Sequence, residues 1–352
     1  PAGAARPAGR CPGPPAPAGS SAVGFTAWTG ACADPVFVLT AGRSGSTLLR
    51  FMLDAHPDLA CPPETELPKA CSQLAAVWSL FAASIWPATG GSAAVAIPEP
   101  AIAGMRHLLD VMVGPYLAGR GKRRYCDKSI GSAHHATLLQ RMYPQARFVC
   151  LYRHPMDLIA SGLEACPWGL NSYGFEHYVG ASPGNAVAAI AQYWTDHTAA
   201  ILAAEDQFPG HCHRVRYEDL VAAPDAVTGE IFGFLSVPPV PGITARALSH
   251  ERERFGRSDF KIWNTSQITS GSVGRGWSIP ATMIPPPLLA TVNDLAGRLG
   301  YRHVDATWGT GSRPASMLAP ADGQADEQTR GDAAVPAGSR VGVPPGCRLL
   351  GE

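Results

Sequence analysis

Residues 41–47, Ala41-Gly42-Arg43-Ser44-Gly45-Ser46-Thr47, gather two glycines, three hydroxyls and one guanidinium into seven positions. That mixture suits an anion. Glycines let backbone N–H groups approach a phosphate, hydroxyls add donors, and a helix starting there turns the positive end of its dipole toward the ligand. The loop departs from the GxxxxGK[ST] cradle of nucleoside-triphosphate hydrolases: no lysine follows the second glycine, and only two residues separate Gly42 from Gly45. Taken alone, it also describes an ordinary strand-to-helix turn. A second pair, Arg153 and Ser161, stands eight residues apart. If Arg153 ends a strand and Pro155 opens a helix, Ser161 lies under two turns in, and both side chains reach one anion beside the helix N-terminus. A surface arginine and a helix serine are the plainer account of that pair.

The elements around these residues explain how they would be held. Pro35–Thr40 is a continuous apolar, β-rich run, the pattern of a central parallel strand covered on both faces. After the loop, Leu48, Phe51, Met52 and Ala55 keep the i, i+3, i+4, i+7 spacing of a helix. Arg147–Tyr152 is a second strand, followed by a helix carrying Met156, Ile159, Ala160 and Leu163. Arg214–Tyr217 is a third strand, leading through Glu218 and Asp219 to a helix around Ile231–Leu235. Amphipathic helices are predicted over about 100–118 and, starting at Ser182-Pro183, through Val187, Ile190, Trp194 and Ile201. The expected fold is therefore α/β: one P-loop-like domain with a central, mainly parallel sheet and helices on both faces. Ligands in such sheets bind at the carboxyl ends of the strands, where Arg43 and Arg153 both fall.

Composition narrows the function. The 352 residues include 28 basic and 28 acidic side chains, so the formal net charge is zero and no nucleic-acid partner is expected. No apolar run reaches the length of a membrane span. The 38 glycines and 33 prolines collect near the ends, so residues 1–33 and 311–352 are expected to be flexible tails around a domain at 34–310. Nine scattered cysteines without CxxC pairs predict reduced thiols, a cytoplasmic location and no metal site. Only four of the basic residues are lysines, which reads as a coding bias toward arginine.

Taken together, the segments PVFVLTAGRSGSTLLRFMLDAHPDLACPPE (35–64) and PQARFVCLYRHPMDLIASGL (144–163) resemble sulfotransferases that use 3′-phosphoadenosine 5′-phosphosulfate (PAPS), in the type 3 or tyrosylprotein-like branch. The resemblance runs over about residues 35–302 and includes Cys126-Asp127-Lys128, Arg216–Leu220 and, more loosely, residues 270–280. It implies that Arg43, Ser44, Gly45, Ser46 and Thr47 wrap the 5′-phosphosulfate, and that Arg153 and Ser161 hold the 3′-phosphate. Tyr217 would lie near the adenine, and Arg275, in Ser270–Trp277, would be a further phosphate contact on a closing loop.

The reaction implied is in-line sulfuryl transfer to a hydroxyl of a small molecule, lipid or glycan. It requires positioning, cationic stabilisation of the leaving group and a base, but no metal. The resemblance assigns the base to Glu64 and leaving-group stabilisation to Lys128. His56, at the end of the first helix, is the rival base, and His134 with His135 is a third option. In the tyrosylprotein branch a basic residue follows the Glu-Thr pair, whereas here Glu66 stands there, which argues against peptide tyrosine as the acceptor. The aromatics of residues 166–178, among them Trp168, Tyr173, Phe175 and Tyr178, are candidates for an acceptor wall. A nucleotide kinase or NTPase, and a non-catalytic nucleotide-binding relative, are the alternatives. Oligomeric state is not declared by any heptad or unmistakable apolar patch.

Overall fold

A computed structural model of the chain describes residue 30 and residues 32–85, 97–166, 170, 173–249, 267–310, 313–314 and 316–319. In chain order its elements are β1 (Val36–Thr40), α1 (Ser46–Ala55), β2 (Leu59–Ala60), α2 (Leu67–Ile85), α3 (Glu99–Arg120) and β3 (Arg124–Asp127). They continue with α4 (Ala136–Met142), β4 (Arg147–Tyr152), α5 (Pro155–Ala165), α6 (Glu176–Ala181) and α7 (Ala186–Gln207). The last are β5 (Cys212–Arg216), α8 (Tyr217–Ala222), α9 (Pro224–Phe234), α10 (Ile243–Ala247) and α11 (Pro286–Arg298).

The five strands pair in the order β2-β3-β1-β4-β5, and every pair is parallel. All five residues of β1 are buried because its side chains serve two cores. Phe37 and Leu39 join Phe148, Cys150 and Tyr152 of β4 on the face covered by α3, α4, α5, α7 and α11. Val36 and Val38 join Val149 and Leu151 on the other face, against α1, α8, α9 and α10. Continuous hydrophobicity in the two strands thus reports cover on both sides. The β1–β4 register, Val36↔Arg147 to Thr40↔Leu151, brings the loops after both strands to one edge.

Two boundaries differ from expectation. The helix expected from Ser182-Pro183 starts at Ala186, where the Asn185 carboxamide accepts the Ala188 N–H at 2.9 Å, a side-chain cap. The domain also runs past 310. Met317 is 2% exposed, Arg302 N–H donates to Met317 O, and Leu318 bridges Tyr301 in antiparallel fashion. At the other end, Cys32 is buried and its N–H donates to Asp110. Short docked pieces of this kind carry no periodicity. The remainder of the two expected tails lies outside the described residues.

Candidate active site

The phosphate-type loop is built by backbone geometry. Gly45 has φ +86°, and a Cβ there would stand 2.3 Å from Cδ2 of Tyr217, so glycine is required twice over. Arg43 also sits in the left-handed region, at φ +67°, a conformation that costs an arginine of order 1 kcal/mol or more. Helix α1 begins at Ser46 with no side-chain cap, so its first amides face the cavity. That cavity is lined by Arg43, Gly45, Ser46, Thr47, Leu48, Arg153, Ser161, Tyr217 and Arg275, with Gln267, Ile268, Thr269 and Ser272. Ser44 is buried and outside the lining.

Arg153 joins the loop to the end of β4. Its Nη1 donates to Arg43 O at 2.9 Å and its Nη2 to Ser272 O at 2.7 Å, with the guanidinium 4.5 Å above the Tyr217 ring. Nε is buried and has no partner, and no carboxylate pairs with this arginine among the described residues. Arg153 is only 5% exposed. A cation so enclosed costs several kcal/mol unless an anion meets it. Arg43 Nε donates to Ser161 Oγ at 3.3 Å, so the two segments singled out in the sequence converge. Tyr217 lines the cavity as the first residue of α8 rather than as a strand end.

The loop with Arg275 is fastened to α5 by a residue the sequence did not reveal. Asp157 accepts the Gly274 N–H at 2.6 Å and the Gly276 N–H at 2.8 Å, one on each carboxylate oxygen. A Cβ at Gly276 would fall 2.2 Å from the Met156 carbonyl, so the two backbones touch. Arg275 reaches the cavity wall but pairs there with Glu164 of α5.

Next to the loop stands the ion pair of Glu64 and Lys128. Lys128, 1% exposed, donates to Glu64 Oε1. Glu64 Oε2 has no hydrogen-bond partner among the described residues. Asp127 holds both arms of the pair. Its Oδ2 accepts from Thr65 Oγ1 at 2.5 Å and from Tyr125 Oη at 2.8 Å, while Oδ1 accepts the Ser129 N–H at 2.9 Å. Tyr193 of α7 bridges to the loop: its hydroxyl accepts the Gly42 N–H at 2.7 Å, and its ring lies 4.2 Å from that of His197. Burial raises the Tyr193 phenol above its ordinary range, and the fields of Glu64 and Arg43 both reach it.

His56 does not join them. It is fully buried at the far end of α1, its Nδ1 accepts the Asp58 N–H at 3.0 Å, and its Nε2–H therefore donates to Pro238 O at 2.9 Å. With both nitrogens hydrogen-bonded and the ring 4.8 Å from Phe232, it holds a turn. His56, expected as the rival base, thus stands outside the residues that line the cavity. Burial pushes the imidazoles of His134 and His135 below their ordinary value, and that of His197 down to about 3. Within residues 166–178, Phe175 packs on Tyr193 inside the core, while Tyr173 lies under the Arg43 guanidinium at 5.0 Å. Trp168 lies outside the described residues.

A family model described as the sulfotransferase family matches residues 35–241, a span that holds the loop, Glu64, Lys128, Arg153 and Ser161. The chain belongs to the sulfotransferase family. Among curated proteins, this sulfotransferase is 29% identical over 291 residues to nodulation protein NoeE of Sinorhizobium fredii, covering 76% of this chain and 66% of NoeE. It is 25% identical over 282 residues to protein-tyrosine sulfotransferase A of Caenorhabditis elegans, covering 76% and 67% of the two chains. The chain thus spans about two thirds of the length of these relatives. The fold is shared with the sulfotransferase domain from the curacin biosynthetic pathway, at a TM-score of 0.53 and 23% identity over 77% of this chain and 99% of that one. No helix among the described residues is long and apolar enough to cross a membrane.

Proposed function

We propose that this sulfotransferase moves a sulfuryl group from PAPS to a hydroxyl of a small-molecule, lipid or glycan acceptor by in-line displacement. The observation that carries the reading is Arg153: a buried guanidinium, unpaired by any described carboxylate, in the same cavity as an uncapped helix N-terminus. Two anionic groups satisfy that cavity better than one. The amides of residues 45–47 with Arg43 suit a 5′-phosphosulfate, and Arg153 with Ser161 suits a 3′-phosphate.

When bound, PAPS supplies the activated sulfuryl group. Glu64 Oε2 then accepts the proton of the acceptor hydroxyl, while Lys128, bonded to Oε1, fixes the carboxylate and stabilises charge growing on the departing phosphate oxygen. Arg43 supplies further positive charge beside the loop. We place the reaction in the cytoplasm, a reading supported by the free thiols of Cys32, Cys61, Cys71, Cys126, Cys150 and Cys212.

Calorimetric titration with adenosine 3′,5′-bisphosphate and with AMP tests the nucleotide assignment. The bisphosphate binds at least about tenfold more tightly, and Arg153→Ala removes that advantage, a loss of about 1.5–3 kcal/mol for a charged hydrogen-bond set. Equal affinity of the wild type for the two nucleotides overturns the reading. Incubation with labelled PAPS and a panel of phenols, sugars and lipids then identifies the acceptor.

A further inference from the structure

The loop around Arg275 is held from two sides. From within, Asp157 of α5 takes the Gly274 and Gly276 amides. From without, the chain beyond α11 takes carbonyls of the same stretch. The Trp308 indole N–H donates to Gly276 O at 3.1 Å, and Arg313 Nη2 donates to Val273 O. Both residues lie past the 35–241 span of the family match. The approach is close: a Cβ at Gly274, where φ is +75°, would stand 2.5 Å from Arg313 Nε, and one at Gly309 would stand 3.0 Å from Trp277 O. Trp308 is 3% exposed, with its ring 4.9 Å from that of Trp277 and stacked at 5.1 Å on His154, the residue after Arg153. The segment is anchored before and after these two residues. Asn293 of α11 exchanges two hydrogen bonds with Val304, each at 2.8 Å. Arg302 N–H donates to Met317 O and Ala319 N–H to Gly300 O, both at 2.9 Å.

We propose that Trp308 and Arg313 are positioning residues for recognition of the 3′-phosphate, an inference that rests on the PAPS reading above. Neither lines the cavity, so both act through the loop. Within that loop Ser272 O accepts Arg153 Nη2 at 2.7 Å, one residue before the carbonyl that Arg313 holds. A guanidinium is a rigid plane, so fixing one Nη sets the direction of its remaining N–H groups. A loop without a ladder of its own opens at low cost, and a Ser272 carbonyl that drifts lets the Arg153 fork turn away from its anion. Arg313 is exposed, and Val273 O is its only hydrogen-bond partner among the described residues. Its loss therefore removes a brace and leaves the core intact.

Calorimetric titration of the full chain with adenosine 3′,5′-bisphosphate and with AMP tests this, because only the bisphosphate carries the group assigned to Arg153. In Arg313→Ala the bisphosphate binds about three- to tenfold more weakly, the scale of one hydrogen bond, while AMP stays within about twofold. Arg313→Lys, which keeps a donor, recovers part of the loss. Trp308→Phe keeps a ring and changes no charge, so the same narrowing of preference in that variant separates the brace from the general field of an arginine. Should Trp308→Phe misfold by circular dichroism, Arg313→Ala measured at about 50 and 300 mM salt makes the same separation, since salt screens a field and spares a brace. Four results overturn the proposal: wild-type preference in Arg313→Ala, wild-type preference in a folded Trp308→Phe, equal weakening of both nucleotides, or a loss that vanishes at high salt. Equal affinity of the wild type for the two nucleotides is a distinct result. It removes the 3′-phosphate reading itself, and the proposal with it.

Discussion

At the scale of single residues, the chemistry rests on groups held in place by others. If Glu64 is the base, as proposed, Glu64→Gln, which removes the carboxylate of the Glu64–Lys128 ion pair, lowers turnover of PAPS by about 10²–10⁴ in an acceptor assay while bisphosphate affinity stays within about twofold. Unchanged turnover would return the base to another group. Asp127 has a subtler effect, because it grips Thr65 beside Glu64 and Ser129 beside Lys128. In Asp127→Asn an amide replaces the oxygen that accepts two hydroxyl protons, and the pair loosens by tenths of an ångström. Turnover then drops by about tenfold or more with nucleotide affinity preserved, and Thr65→Val reproduces part of the loss. Parallel loss of nucleotide binding would show instead that the fold had been damaged. Glu64 and Lys128, singled out in two short segments of the sequence, do meet in the fold as an ion pair. The bracing contacts of Asp127 were not legible, since its partner Thr65 stands 62 positions away and only strand pairing brings them together.

At the scale of elements, the best-read parts are those whose pattern is local. β1, the loop and α1 were legible because a buried strand, two glycines and a helical stripe follow one another within 20 residues or so. β2 spans two residues and β3 four, too few for any period to show, although they complete the sheet edge that carries Glu64 and Lys128. The clamp between α5 and the 274–276 loop was invisible for a different reason. An aspartate in the first turn of a helix reads as a dipole partner, and Asp157 in fact spends both oxygens on amides more than 110 positions away. The loop geometry itself yields a prediction. Gly45→Ala combines a left-handed backbone with a Cβ 2.3 Å from Tyr217, so it displaces either the loop or the ring beneath Arg153. Bisphosphate affinity falls at least about tenfold, and Tyr217→Ala in the same chain restores only part of it because the backbone strain of about 1 kcal/mol or more persists. Wild-type affinity in Gly45→Ala would mean that the cradle lies elsewhere.

At the scale of the whole molecule, the two helical layers enclose imidazoles whose charging burial disfavours. His154 sits at the head of α5, accepts the Met156 N–H at 3.3 Å, donates to Arg302 O and stacks on Trp308; burial pushes it down to about 4. Buried His197, pushed to about 3, lies between Tyr193 and His134, and its Nδ1 has no partner. Both folded values lie below the value near 6.5 of an unfolded histidine, so the unfolded chain binds the protons that the folded chain refuses. The stability of the neutral rings is complete above pH 6.5 and is lost as pH falls from there toward 4 for His154 and 3 for His197. At pH 5 each ring lowers the unfolding free energy by about 2 kcal/mol relative to pH 8. Acid also protonates carboxylates, so the wild-type curve alone does not isolate the histidines. His197→Phe does, because the ring forfeits no hydrogen bond at Nδ1 and a phenyl fills similar space. Urea unfolding at pH 8 and pH 5 measures it: the wild type loses stability between the two, and the variant loses about 2 kcal/mol less. An identical loss in both proteins would place the acid sensitivity outside the α7 layer and leave His197 free to accept its proton in the folded state.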